Sequence, residues 1–179
     1  SCYRGDEEDV LDRFYQAAKP YNPDFIVRLT SDCPLIDSSL IDMIIEATVN
    51  SNVDYCSNTL IESYPDGQDV EVFSFNSLKK AWEESVLLSE REHVTPYMKK
   101  NFKVLNVHSN NMKFNKVRMT VDEPSDFVVI KRLIDKLGLN EKWENYTNLY
   151  LNDKTISNTN DSITRNEGYI KSIKNDLIN

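Results

Sequence analysis

Apolar residues recur at helical spacing from Asp6 to Lys19, where Val10, Leu11, Phe14, Tyr15 and Ala18 share one face behind an acidic first turn that complements the helix dipole. Pro20 closes that helix. The period then changes: Phe25-Ile26-Val27-Arg28-Leu29-Thr30 is short and rich in strand formers, and it stops at the turn residues Ser31-Asp32-Cys33-Pro34. Ser38 or Ser39 caps a second helix that runs to about Asn50, with Leu40, Ile41, Ile44 and Ile45 inward and Asp42 and Glu46 outward. Val53 to Ser57 reads as a weaker strand, and Val70 to Phe75 as a better one because it alternates between two faces. Between them, Tyr64-Pro65-Asp66-Gly67 is a tight-turn signal.

Leu78 to Val86 and Glu90 to Lys100 are expected as successive helices, the second opened by a capping box of Ser89 and Glu92. Val104 to His108 and Lys116 to Val121 read as strands, and Pro124 opens a further helix that Gly138 ends. Alternating strands and helices predict an α/β fold, a sheet with helices on its faces. Beyond Leu139 the periodicity decays, and Asn152 to Asn166 is dominated by Asn, Thr, Ser and Asp, the composition of a loop. Tyr169 to Leu177 has the pattern of a short helix or arm. The chain thus divides into a main domain over 1–139 and an extension over 140–179.

Composition narrows the classes of function. A length of 179 residues suits one domain, and 21 Lys plus Arg against 29 Asp plus Glu leave a net charge of −8. Such a chain is repelled by phosphate backbones and by anionic lipid, so nucleic-acid and membrane-surface binding are not expected. No apolar run approaches the ~20 residues of a membrane helix. The acidic start lacks both an initiator Met and the basic-then-apolar order of a secretory signal, and it reads as the beginning of a fragment. Cys2, Cys33 and Cys56 are odd in number with no CxxC pair, which fits a reducing cytoplasm. There is no Walker loop, GxGxxG or nucleophile elbow.

Two segments share one local design, a hydrophobic strand that delivers an acidic residue into a proline-containing turn: Ile26 to Pro34 with Asp32, and Val117 to Pro124 with Asp122. In open α/β sheets ligands collect at the carboxyl ends of strands. Mg²⁺ takes one or two carboxylates while phosphates and water complete its octahedron, so Asp32 and Asp122 are candidate metal ligands and catalytic residues. An Asp near a Pro is equally a turn former or helix cap. Arg28 and Arg118, each four positions upstream of its Asp, add the cations a phosphate site needs. Asp66, Asp69 and Glu71 offer carboxylates to sugar hydroxyls, or belong to a plain turn. Arg91 suits a carboxylate through two parallel hydrogen bonds, and His93 titrates near neutrality; a surface role serves both equally.

Five ordered segments carry a more specific signal: Asp6 to Phe14, Val27-Arg28-Leu29-Thr30-Ser31-Asp32-Cys33-Pro34-Leu35-Ile36-Asp37, Tyr64-Pro65-Asp66-Gly67-Gln68-Asp69-Val70-Glu71-Val72-Phe73, Ser89-Glu90-Arg91-Glu92-His93-Val94-Thr95-Pro96-Tyr97, and Arg118 to Pro124. Over residues 4 to about 137 the chain resembles the spore-coat polysaccharide cytidylyltransferase family, which is similar to the enzymes that make CMP-activated Kdo and sialic-type sugars. Arg165-Asn166-Glu167-Gly168-Tyr169 resembles that family's C-terminal signature. The resemblance implies a Rossmann-like nucleotidyltransferase sheet of the glycosyltransferase-A type, and transfer of CMP from CTP to a sugar, an acidic one in the related enzymes. It implies Mg²⁺ at Asp32 and Asp122, Arg13 near the nucleotide, and a homodimer, for which Trp143, Tyr146, Tyr150 and Tyr169 are the aromatic candidates. Two departures stand out. Ser31 occupies a position where the family usually has Gly, and the family's opening strand and basic phosphate-wrapping loop have no counterpart in these residues. The rival expectation is therefore a truncated, non-catalytic relative that binds a sugar or pairs with a partner.

Overall fold

The computed structural model describes residues 2–177. Helix α1 (Val10–Ala18) and a 3₁₀ turn (Lys19–Tyr21) precede strand β1 (Phe25–Arg28), followed by α2 (Ser38–Ser51), β2 (Tyr55–Ser57), β3 (Glu71–Ser74) and α3 (Phe75–Glu84). Short helices α4 (Leu88–His93) and α5 (Pro96–Asn101) lead to β4 (Val104–Asn106), a 3₁₀ turn (Met112–Lys116), and helices α6 (Pro124–Leu137), α7 (Trp143–Asn152), α8 (Lys154–Ser157) and α9 (Glu167–Asp176).

The strands form a mixed sheet in the order β1-β3-β2-β4, antiparallel except for the β2–β4 pair. Successive strand residues point to opposite faces, so the register sorts the core. Phe73, opposite Ile26 and Tyr55, faces α1, α3 and α5 and packs with Leu11, Leu78 and Met98. Val72, opposite Val27 and Cys56, faces α2 and packs with Leu40 and Ile44. Each such fully buried side chain contributes roughly 1.5–3 kcal/mol relative to exposure. A third cluster joins Val117 and Met119 to α6, α7 and α8 through Val129, Leu133, Tyr146, Tyr150 and Ile156. β1 is an edge strand, and Phe25 and Val27 remain exposed along it, as does Leu29 just past its end.

Several local expectations change in three dimensions. β3 is buried on both faces instead of alternating, because it lies inside the sheet with helices on either side. The cap of α2 is Asp37, one residue before the serines, with its carboxylate accepting from the N–H and hydroxyl of Ser39. Ser89 and Glu92 form no capping box: α4 already begins at Leu88, and the Ser89 N–H donates to Asp176. The helix expected over Glu90 to Lys100 is two, because Val94 adopts φ 70° and Pro96 starts α5 anew.

Of the strand expected over Lys116 to Val121, Lys116 belongs to the preceding 3₁₀ turn, and the remainder makes only a single bridge, between Asp66 and Arg118, since its neighbours are loops and not a strand. The loop expected over Asn152 to Asn166 contains α8, with Ile156 and Asn160 buried. Trp143, Tyr146 and Tyr150 are buried within the chain's own core, so they offer no surface to a second subunit. Their spacing of three, four and seven is that of one helix face, α7, turned inward. Among the described residues no helix is long and apolar enough to cross a membrane.

Candidate active site

A cavity of about 710 Å³ lies beside the end of β1. Arg28 of β1, Thr30 and Asp32 from the following loop, Glu71 at the start of β3, and the 62–69 loop form one side. His93, Thr95 and Lys99 from α4 and α5, and Thr120 and Asp122 from the segment before α6, form the rest. Of the sequence candidates, Arg28, Asp32, Asp66, Asp69, Glu71, His93 and Asp122 line this one space, while Arg13 and Arg91 do not. Arg91 instead grips Asp9 with Nε and Nη2 at 3.0 and 2.5 Å and donates to the carbonyl of Trp82. It therefore fastens α1 to α3 and α4, and its fork is unavailable to a substrate carboxylate. Arg13 packs over the N-terminal segment, its Cγ against Gly5.

The two aspartates are joined through one strand-like segment. Thr120 Oγ1 donates to Asp32 Oδ2 at 2.9 Å, and the Val121 N–H donates to the Asp32 carbonyl at 2.9 Å. Asp122 follows immediately and is exposed, with Oδ2 accepting from Arg118 at 2.8 Å. A turn places Arg118: the Asp66 N–H donates to the Val117 carbonyl, and the Met119 N–H to the Asp66 carbonyl. Gly67 in that turn has φ 98°, and a Cβ there would lie 2.5 Å from the Met119 carbonyl carbon. Only glycine serves both demands, a positive φ and backbone-to-backbone approach. Buried Gln68 then stitches the turn to the Asp32 loop, donating to the Leu35 carbonyl and accepting from the Asp37 N–H.

Arg118 is a buried hub that reaches Asp66 at 2.8 Å, Asp122 at 2.8 Å and Asp126 at 2.9 and 2.8 Å. Burial works against its charge, but Asp126 and Asp66 outweigh that and hold the guanidinium charged above its ordinary range. A second guanidinium, Arg165, reaches Asp69 at 2.6 Å and the Tyr64 carbonyl at 3.2 Å, and stands 3.6 Å from Asp66 and Glu62. Burial pushes Asp66 up to about 6, even with Arg165 and Arg118 pulling it down. Asp69 is raised for the same reason.

Glu71 behaves oppositely. Burial alone would raise it, but Lys99 at 2.9 Å and Arg28 at 2.5 Å, with hydrogen bonds from Tyr55 and Thr95, hold it at about 2. His93 is pushed down, chiefly by burial and also by the Arg28 and Lys99 charges, and its Nε2 lies 2.9 Å from Ser172 Oγ. Burial raises the Cys33 thiol to about 12, which leaves it a packing residue and no nucleophile.

Thr120, Lys99, Thr95 and Arg165 were not singled out in the sequence as site residues, because each is an ordinary polar residue whose partners lie far along the chain. Thr95, Thr120 and Arg165 did fall inside segments that carry the family resemblance, while Lys99 had no signal.

Comparison with known proteins agrees with this architecture. Residues 1–157 match the family model described as cytidylyltransferase. The uncharacterized protein MJ1063 of Methanocaldococcus jannaschii is 39% identical, over 81% of this chain and 66% of that protein. The spore coat polysaccharide biosynthesis protein SpsF of Bacillus subtilis is 33% identical, over 76% of this chain and 58% of that protein. The chain thus spans somewhat less than two thirds of these curated relatives. Among solved structures, a cytidylyltransferase from Leptospira borgpetersenii superposes with a TM-score of 0.80 at 30% identity, covering 90% of this chain and 68% of that one. The mixed α/β sheet, its flanking helices and the match over residues 1–157 lead to one conclusion: the chain belongs to the cytidylyltransferase family.

Proposed function

We propose that this cavity serves transfer of CMP from CTP to a sugar, with release of pyrophosphate, in the making of a surface polysaccharide or glycan. The observation that carries the reading is the meeting of Asp32 and Asp122 at one cavity wall, tied together by the Val121–Asp32 backbone hydrogen bond. The sugar hydroxyl oxygen forms the new bond to the α-phosphorus, the phosphoanhydride bond to pyrophosphate breaks, and the hydroxyl proton passes to water. The work of the protein is to place these groups in line and to balance charge as pyrophosphate leaves.

Asp32 and Asp122 suit Mg²⁺ as a donor set: two hard carboxylates, each with only one oxygen engaged in a strong hydrogen bond. Bound there, the ion would neutralise phosphate charge. Among the described residues no cluster of three or more His, Cys, Asp or Glu side chains is arranged to hold a metal. Thr120 orients Asp32, and Arg118 orients Asp122 while balancing the buried acids around it.

Pyrophosphate release from CTP and Mg²⁺ with a panel of sugars tests the reading. Assayed within the full-length protein, the chain is expected to turn over at least one sugar, and Asp32→Asn to lose roughly 10²-fold or more. Sugar binding without any release of pyrophosphate would favour the non-catalytic relative instead. A cytoplasmic location is part of the same proposal, supported by the three free cysteines and the use of CTP. A homodimer is a further proposal, which sedimentation equilibrium returning the mass of one chain would overturn.

A further inference from the structure

The matched family region ends at residue 157, yet one side of the cavity comes from beyond it. Ile163, Thr164, Asn166, Glu167, Tyr169 and Lys171 all face the cavity. This strap is fastened at both ends. At one end Arg165 grips Asp69 and the Tyr64 carbonyl, and Asn166 donates to Glu62 at 2.9 Å. At the other, Ser172 Oγ donates to Glu92 at 2.7 Å and meets His93 at 2.9 Å, while Asp176 accepts from the Ser89 N–H at 3.1 Å. Between the fastenings the Tyr169 ring stands edge-on to His93, with centroids 5.0 Å apart. Its hydroxyl has no hydrogen-bond partner among the described residues.

The bonds of the strap go to the 62–69 loop and to α4, and none to Asp32 or Asp122. If the phosphates sit at the two aspartates, the strap borders the part of the cavity left for the acceptor. That part is rich in groups that pair with hydroxyls: the Tyr169 phenol, the Asn166 amide and the Asp69 carboxylate. Loops held on a rigid scaffold are where binding preferences are set, while the shared chemistry stays with the scaffold.

Resting on the transferase reading, we propose that residues 163–171 form the wall that selects the sugar acceptor. Tyr169 contacts the sugar, and Arg165 is the positioning residue that holds the wall against the 62–69 loop. The acceptor is a polyhydroxylated sugar whose hydroxyl meets the Tyr169 phenol.

The test, made in the full-length protein, compares wild type, Tyr169→Phe, Tyr169→Ala and Arg165→Gln with glucose, N-acetylglucosamine, glucuronate and a 2-keto-3-deoxy sugar acid as probes. Pyrophosphate release gives KM for sugar and for CTP, and amide hydrogen exchange follows residues 163–176. Tyr169→Phe should raise the sugar KM about 3–10-fold, the loss of one neutral hydrogen bond. Tyr169→Ala should change the order of preference among the sugars, with KM for CTP within about twofold of wild type. Arg165→Gln should speed exchange over 163–176, leave the β3 amides protected, and raise the sugar KM. An unchanged sugar order and sugar KM in both Tyr169 variants would sink the selecting wall, and unchanged exchange in Arg165→Gln would sink the positioning role. If wild type releases no pyrophosphate with any probe, the transferase reading fails by itself. The wall is then decided by NMR titration with the same sugars: binding weakened in Tyr169→Phe upholds it, and no binding or equal binding overturns it.

Discussion

Thr120 Oγ1 donates to Asp32 Oδ2 across 2.9 Å, and this contact joins the loop after β1 to the segment before α6. The hydroxyl holds Oδ2, while Oδ1 is met, among the described residues, only by the Cys33 Sγ at 3.8 Å. Thr120→Val keeps the shape and the β-branch but removes the donor. On the proposed function, kcat should fall roughly 10- to 100-fold, the loss of one hydrogen bond to a charged group, with KM for sugar little changed. Steady-state kinetics beside an unchanged denaturation midpoint would separate this from a stability defect. Loss of sugar KM alone would contradict the assignment.

Gly67→Ala places a methyl group 2.5 Å from the Met119 carbonyl carbon at φ 98°, so both sterics and backbone conformation oppose it. The methyl would also meet the Met119 carbonyl oxygen and the Thr120 nitrogen; all three are backbone atoms, so the 118–122 segment must shift. The variant should lose at least ~1–3 kcal/mol of stability in urea denaturation. Gly138→Ala is the comparison: its φ is 83°, but nothing lies within 4 Å of the added methyl, so it pays only the conformational strain.

Glu71 and Asp66 predict opposite responses to acid. Glu71 is held at about 2 against an ordinary 4.5, so its contribution to stability is complete above about 4.5 and is lost as pH falls toward 2. Asp66 is raised to about 6 from 3.8, so its ionisation opposes folding above about 6, and protonation relieves that cost as pH falls toward 3.8. Denaturation curves should show stability holding or rising slightly between pH 7 and 5, then dropping below about 4.5. Asp66→Asn should flatten the upper part, and Glu71→Gln the lower.

Arg91 was a candidate for a substrate carboxylate, but its guanidinium is held by Asp9. Arg91→Gln should cost about 1.5–3 kcal/mol of stability, the range for hydrogen bonds to a charged group, through the α1 attachment. The sugar KM should stay within about twofold. A large rise in KM with stability unchanged would return Arg91 to the substrate site.

What was legible in the sequence followed from short range. The α6 helix between Pro124 and Gly138 lies where its proline and glycine put it, because start and stop signals act on adjacent backbone. The Tyr64 to Gly67 turn was also readable, although its closing bond runs from Gln68 N–H to the Pro65 carbonyl. Less legible were the short helices α4 and α8, too brief to establish a period, and the inward turn of Trp143, Tyr146 and Tyr150 in a region that read as a decaying extension. Ser89 illustrates the limit: its pairing with Glu92 fits a local rule, but a donor-acceptor match with Asp176 in α9 decides its environment.

The sequence by itself determined the α/β class, the placement of Asp32 and Asp122 in proline-containing turns, and the family resemblance, since all of these reside in local patterns and ordered motifs. Only the tertiary structure decided which charges meet. Arg118 became the partner of Asp66 and Asp126, Arg165 the partner of Asp69, and Arg91 a fastener of Asp9 instead of a ligand for substrate. The physical reason is that a charge leaves water only where an opposite charge or several hydrogen bonds compensate it. Those partners are brought together by sheet register and helix packing across tens of residues, a distance over which sequence spacing carries no geometric information.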